Sequence, residues 1–415
     1  MASPLPHPCD GTPRQLRLAV GVMSSPSHTE QRVAVRSSWG GESTQILACF
    51  IVGAIVKRTP LSPWNPHRPA ERALPDGGPK GELYPLVQAA DLHAERARFG
   101  DVLMLNGSAE IHAGGTSGLK TLTWWRHASA QLPNAEWVGK CDDDTLVNVP
   151  RLLARLPPAA SASPQALLGS IKWGCYSDAR YKWEPSWQAR GCGKTQFARS
   201  QAAGERANLS LSYEGPYQLA LGWLFAMPAG LASLLASCRY AGAFHERAVH
   251  ATREPFLRKE DDPLNGFWLY KCLREAGRPP VRPLRSFSEG EAHNMACISR
   301  KGLYRRPSNK SIAVHFLKTV SAMRYVKAAL RWERRGEPRH SQECCSRMVW
   351  RTERGSHPPS VCASLLSADE AAAEALLDKQ REQRRAKPLG GRGRPRGRRR
   401  GRKELSDSAK DTLEV

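Results

Sequence analysis

Ile46-Leu-Ala-Cys-Phe-Ile-Val52 is an unbroken apolar run. A strand with one face in water would alternate polar and apolar residues. One without alternation fits a parallel sheet covered on both faces. Toward the N-terminus, Leu16 to Met23 (LRLAVGVM) is a second short apolar run, and Ser24-Ser25-Pro26 turns it into a loop. Between the two runs, residues 28–39 (HTEQRVAVRSSW) read as a helix with Thr29 as its N-cap and Arg32 and Arg36 on one face. Toward the C-terminus, Lys57 to Gly81 holds six prolines and reads as a long loop insertion. Helix returns over Leu86 to Phe99, strand over Val102 to Leu105, helix over about Gly118 to Ala130, and strand over Trp137 to Lys140. Strand alternating with helix predicts an α/β fold: a single Rossmann-like mixed sheet flanked by helices, with right-handed crossovers.

The composition sets the limits around this core. The chain has 415 residues, 40% hydrophobic, with 62 Lys and Arg against 39 Asp and Glu, a formal charge of +23. That hydrophobic content excludes disorder throughout. The charge is concentrated: Arg381 to Lys403 carries ten Arg and two Lys against Glu382, a net +11. The expected organisation is a disordered start over 1–15, a catalytic-type domain over 16–335, a Cys-containing extension over 336–366, a helix over 367–385 opened by the capping box Ser367-Ala-Asp-Glu370, and a disordered basic tail over 386–415. Neither a secretory signal nor a membrane anchor is visible at the start of the sequence. The longest uncharged run, Gly215 to Cys238, is interrupted by Gly and Pro and reads as a buried strand followed by a helix. Eleven cysteines at irregular spacing, with no C-x-x-C pair, argue against zinc and fit either disulfides in an oxidising lumen or scattered buried thiols. Asn-x-Ser triplets at Asn106, Asn208 and Asn309 are compatible with a lumenal location.

Three segments carry candidate chemistry. Lys140-Cys-Asp142-Asp143-Asp144-Thr-Leu-Val-Asn148 places three adjacent carboxylates at a strand end. Their mutual repulsion is costly unless a divalent cation relieves it, and the carboxyl edge of an α/β sheet is where ligands bind. A hard cation such as Mn²⁺ or Mg²⁺ suits oxygen ligands and leaves positions open for phosphate oxygens. Glu260-Asp261-Asp262 precedes a helical segment, as acids facing a helix dipole do, and as a general base beside a donor site would. His315 closes the short apolar stretch Ser311-Ile-Ala-Val-His315, as a core histidine or as a nitrogen ligand for the aspartates.

In this order the segments resemble glycosyltransferase family 31, the beta-1,3-galactosyltransferase and Fringe-type group, over roughly Leu16 to Thr319. The match runs through Gly21-Val-Met-Ser-Ser-Pro-Ser with Arg32-x3-Arg36-x2-Trp39, and through Phe50-Ile-Val-Gly53. It continues with Glu95-x3-Phe99-Gly-Asp101, Lys120-Thr121, the Asp142 to Asp144 motif with Asn148, Asp261-Asp262-Pro-Leu-Asn-Gly266 and Val314-His315-Phe-Leu-Lys318. Ser38, Asp261 and Pro263 stand where the family usually has Thr, Glu and Val. The acceptor-side stretch is matched loosely by Tyr213-Glu-Gly-Pro-Tyr217 and Gly222-Trp-Leu-Phe-Ala.

The resemblance implies a GT-A fold and an inverting hexosyltransferase that moves galactose or an N-acetylhexosamine from a UDP-sugar to a hydroxyl of a glycan or glycoprotein acceptor in beta-1,3 linkage. It implies Asp144, Asp142 and His315 as ligands of Mn²⁺ or Mg²⁺, and Asp262 as the base. Arg32, Arg36, Lys120, Asp142 and Asp143 would lie at the nucleotide sugar. It also implies a lumenal, membrane-associated place in the Golgi apparatus. Trp173, Trp183, Trp187 and Trp223 are candidate platforms for sugar faces. A competing reading rests on the tail, where Arg392-Gly-Arg-Pro395 resembles the core of an AT-hook that binds the minor groove of DNA.

Overall fold

The computed structural model describes residues 8–11, 15–57 except 27, 83–85, 89–111, 117–177, 182–186, 214–250 and 261–294 except 285 and 289. Between 308 and 330 it describes 308, 310–315, 317, 320, 322–324, 326, 327 and 330. The loop insertion after Lys57, the extension 336–366, the helix 367–385, the basic tail, Trp187, Asn208 and Asn309 lie outside the described residues.

The strands are β1 (Leu16–Met23), β2 (Ile46–Lys57), β3 (Leu83–Pro85), β4 (Val102–Ile111), β5 (Ala135–Asp142), β6 (Leu146–Val147), β7 (Ala166–Ser177), β8 (Lys182–Ser186), β9 (Glu214–Pro228), β10 (Arg282–Pro283), β11 (Ala292–Asn294) and β12 (Ala313–His315). The helices are α1 (Thr29–Val35), α2 (Ala89–Phe99), α3 (Ser117–Gln131), α4 (Val149–Arg155), α5 (Ala229–Ser237), α6 (Arg239–His250) and α7 (Asp261–Glu275). The main sheet runs β10-β7-β9-β5-β1-β2, with β3 and β4 both paired to β2, and β8 to β7. β1, β2, β4 and β5 are parallel, and β9 runs antiparallel to β5 and β7. The expected mixed α/β sheet flanked by helices is the architecture found.

The apolar runs behave as their composition demands. Leu16, Leu18, Val20 and Val22 of β1 and Cys49, Phe50, Ile51 and Val52 of β2 are buried on alternate and on successive positions alike, so both faces are covered. α3 packs on the sheet through Trp124 and Trp125, both fully buried, and each indole N–H finds an acceptor: the carbonyl of Gly139 at 2.9 Å and Asn265 Oδ1 at 2.9 Å. The uncharged run 215–238 is the strand β9 followed by α5, as its glycines and prolines predict. No helix among the described residues is long and apolar enough to cross a membrane.

Two expectations change. The N-terminal start is not wholly without structure: Pro8–Asp10 forms a short 3-10 turn whose buried Cys9 is bonded to Cys49 of β2. Helix α1 begins at Thr29 with His28 as its N-cap residue, rather than with Thr29 capping it. A further disulfide joins Cys238 to Cys272 of α7, while Cys141 is a buried free thiol, so disulfides and buried thiols both occur among the described residues. Residues 9 and 49 are 40 apart in sequence. Closing a loop of that size restricts the unfolded chain by about 3–4 kcal/mol. The double variant Cys9→Ala/Cys49→Ala is therefore expected to lose stability on that order in denaturant titrations, and an unchanged midpoint would refute the cross-link.

Candidate active site

The site forms where β5 ends. The register pairs Met23 of β1 with Asp142, so the loop after β1 lies beside the three aspartates. On the other side β9 runs antiparallel, with Phe225 opposite Lys140 and Leu224 opposite Cys141. The small sheet β11-β12-β6 brings in the distant His315. Val314 pairs with Leu146, and the backbone N–H of Leu317 donates to the carbonyl of Asp144 at 2.8 Å. Asn148 fastens the same joint, its amide N–H donating to Ile312 and its side chain to the carbonyl of Ser311. This gives a physical reason for the Asn148 in the motif.

Asp142, Asp144 and His315 converge, each offering one ligand atom, and these atoms lie within 4.8 Å of one another. His315 Nε2 is 3.0 Å from Asp144 Oδ1 and 3.4 Å from Asp142 Oδ2. Two carboxylates and one imidazole make a donor set that could hold a divalent cation. Burial alone would lower the His315 pKa, but the hydrogen bonds and charges of Asp142 and Asp144 outweigh it and raise the value to about 9.

The sign of the resulting pH effect follows. A folded-state pKa above the unfolded value of about 6.5 gives stability that is complete below that value and is lost as pH rises through about 9. Thermal unfolding of chelator-treated protein is expected to show the melting temperature falling across that window. The fall should be flattened in His315→Asn, and equal slopes for both proteins would refute the pairing.

Asp143 points to the other side of its strand end. Its Oδ2 accepts from Ser24 Oγ at 2.8 Å and lies 2.9 Å from His28 Nδ1. Lys120 supports the same loop from below, its buried ammonium donating to the carbonyl of Ser24 at 2.6 Å. Arg32 and Arg36, expected at the nucleotide sugar, are held by carboxylates in this structure. Arg32 is fully buried and forms a two-pronged pair with Glu95, at 2.8 and 2.7 Å. Arg36 pairs with Asp101 at 2.7 and 2.6 Å and lies over the rings of Phe50 and Phe99. The spaced motifs Arg32-x3-Arg36 and Glu95-x3-Phe99-Gly-Asp101 are two halves of one ion-pair network. It joins α1 to α2 and to the turn before β4, and it sets the loop holding Ser24 and His28 through the Arg32 bond to the carbonyl of Ser25.

Asp262 stands in the first turn of α7, facing β9. Gly266, one turn on, lets the helix approach closely: a Cβ there would meet the Leu219 Cβ at 2.5 Å. Asp262 lies 3.7 Å from the buried ammonium of Lys140, which also contacts Asp142 Oδ1 at 2.7 Å. Gly222 of β9 covers the pair. A Cβ at that position would fall 2.0 Å from Asp262 Oδ1 and 2.2 Å from Lys140 Nζ. The next residue, Trp223, is half-buried and stacks on His315 with ring centres 5.6 Å apart and planes 14° apart. It is one of the tryptophans that the sequence offers as a platform for a sugar face.

Sequence reasoning brought together Asp142, Asp144, His315 and Asp262, but it missed Ser24, His28 and Gly222. Ser24 and Gly222 sit inside the matched motifs, where the signal was present. His28 had none.

Comparison with curated proteins finds partial matches to sugar transferases. Over 166 residues the chain is 29% identical to beta-1,3-galactosyltransferase 4 of Rattus norvegicus, covering 39% of this chain and 36% of that one. It is 29% identical over 152 residues to the Homo sapiens protein of the same name, covering 36% and 33%. To acetylgalactosaminyl-O-glycosyl-glycoprotein beta-1,3-N-acetylglucosaminyltransferase of Mus musculus it is 29% identical over 175 residues, covering 40% and 38%. The resemblance to glycosyltransferase family 31 holds. The match spans little more than a third of the length of these relatives. No family model matches the chain. Among solved structures, the bifunctional glycosyltransferase WbbM superposes on 78% of this chain and 51% of its own with a TM-score of 0.30 at 8% identity. Mouse xyloside xylosyltransferase 1 does so over 73% and 98% with a TM-score of 0.28 at 6% identity.

Proposed function

We propose that this chain is a cation-dependent, inverting glycosyltransferase that moves a hexose or N-acetylhexosamine from a UDP-sugar to a hydroxyl of a glycan acceptor in beta-1,3 linkage. The observation that carries the reading is the division of charge across the end of β5. Asp142, Asp144 and His315 cluster on one side, and a separate carboxylate, Asp262, stands across Lys140. The names of the relatives, one a galactosyltransferase and one an N-acetylglucosaminyltransferase, support the class and leave the sugar to be found by experiment.

Asp142, Asp144 and His315 would hold Mn²⁺, or Mg²⁺. When bound, it supplies Lewis-acid stabilisation of the charge on the departing diphosphate. The rest of the chemistry belongs to the chain. Asp143, fixed by Ser24 and His28, faces the donor from the β1 side. Asp262 takes the proton from the acceptor hydroxyl as that oxygen attacks the anomeric carbon. One base and one displacement invert the anomer, so no covalent sugar-enzyme intermediate is needed, by the logic that separates inverting from retaining glycosidases. Trp223 offers a flat apolar surface at the junction of donor and acceptor, where a sugar face can stack. The disulfides suit work in an oxidising lumen, and the family resemblance supports a place in the Golgi apparatus.

The test is a screen of UDP-galactose, UDP-N-acetylglucosamine and UDP-N-acetylgalactosamine by UDP release, with and without Mn²⁺ and with glycan acceptors. Release from one donor that requires both cation and acceptor is the expected result. Release that ignores the cation would overturn the reading.

A further inference from the structure

We propose that Lys140 is a positioning residue that couples the cation ligands to the base by sharing one buried charge between them. The inference rests on the transfer reading above and goes beyond it in giving this lysine a task. Its side chain is 1% exposed, in a place where an unpaired charge is prohibitively costly. Two carboxylates from different elements meet it: Asp142 Oδ1 from the end of β5 at 2.7 Å, and Asp262 Oδ1 from the first turn of α7 at 3.7 Å.

Asp142 is thereby divided. Oδ1 faces Lys140, while Oδ2 faces His315 at 3.4 Å. Lys140 thus sits directly behind a candidate cation ligand and directly beside the candidate base. Gly222 closes the arrangement from β9, since any side chain there would occupy the space of the ammonium and of Asp262 Oδ1.

Two consequences follow from charge and distance. A fixed positive charge next to Asp142 opposes binding of a dication, so removing it strengthens that binding or leaves it unchanged. The same charge holds Asp262 in place beside the reacting sugars, so removing it slows the chemical step. A lysine that only maintained the fold would give the opposite pairing, with cation binding and turnover failing together.

The experiment compares wild type, Lys140→Met, Asp262→Asn and the double variant. Mn²⁺ affinity is measured by calorimetry without donor, and kcat by UDP release. Lys140→Met is expected to bind Mn²⁺ at least as tightly as wild type while kcat falls by roughly 10- to 100-fold, the range for groups that orient catalytic ligands. In the Asp262→Asn background the same substitution is expected to cost less than about threefold, because the residue that it serves is already disabled. Mn²⁺ affinity falling tenfold or more, a wild-type kcat, or losses that multiply in the double variant would each overturn the proposal. Lys140→Gln, which keeps a hydrogen-bond donor without the charge, carries the same test should Lys140→Met fail to fold. Denaturant unfolding of the four proteins in chelator measures the Lys140–Asp262 coupling without turnover. If wild type transfers no sugar at all, the transfer reading fails, while a coupling near zero in that cycle refutes the charge sharing by itself.

Discussion

Asp144→Asn is expected to lower Mn²⁺-dependent UDP release by at least about 10²–10³-fold, the cost of losing a preorganised group that stabilises transition-state charge. The argument begins with burial. Asp144 is 3% exposed, and its Oδ1 lies 3.0 Å from His315 Nε2. Its backbone carbonyl accepts from Leu317, and that bond does not depend on the side chain. Asparagine has the same shape and leaves the backbone joint to β12 in place, so the fold is expected to persist, with circular dichroism as the check. Two things are lost together. The cluster of Asp142, Asp144 and His315 drops one negative charge and one anionic oxygen. His315 also loses one of the two carboxylates that raise its pKa, so the value moves back from about 9. Mn²⁺ titration of the purified variant should show weakened binding in parallel with the lost activity. Full activity with unchanged Mn²⁺ affinity would remove Asp144 from the site.

The sheet and the convergence of Asp142, Asp144 and His315 were legible in the sequence, through local signals and through the order of the motifs. The apolar runs of β1 and β2 had no alternation to confuse the period, and both emerged as strands covered on two faces. The Asp142 to Asp144 turn announced itself by the improbability of three adjacent charges. What could not be read was pairing at a distance. Arg32 and Arg36 carry a charge pattern that suits phosphate as well as carboxylate. Only the fold shows that Glu95 and Asp101 already occupy both guanidinium groups. Lys140 and Gly222 appear as ordinary strand residues until the packing of β9 brings the Lys140 ammonium within 2.2 Å of where a Cβ on Gly222 would lie. Cys9 falls in the start expected to be disordered, and what orders it is a bond to Cys49, 40 residues away in a core strand.

Asp262→Asn is the counterpart on the acceptor side, and its signature should differ in kind. Asp262 is one-fifth exposed, opens helix α7, and lies in ion-pair range of Lys140 rather than of His315. It is absent from the cluster of candidate cation ligands. Replacing it removes a proton acceptor and leaves those ligands intact, so Mn²⁺ affinity and the KM for the UDP-sugar are expected to stay near wild type. The whole effect should fall on kcat, by roughly 10²–10⁴-fold, the range for a positioned general base, equivalent to about 3–5 kcal/mol of barrier. Hydrolysis of the UDP-sugar, in which water takes the sugar and gives its proton to solvent as UDP leaves, is expected to survive better than transfer does. A variant that loses donor affinity instead, with kcat unchanged, would place Asp262 at the nucleotide and leave the acceptor hydroxyl to another base.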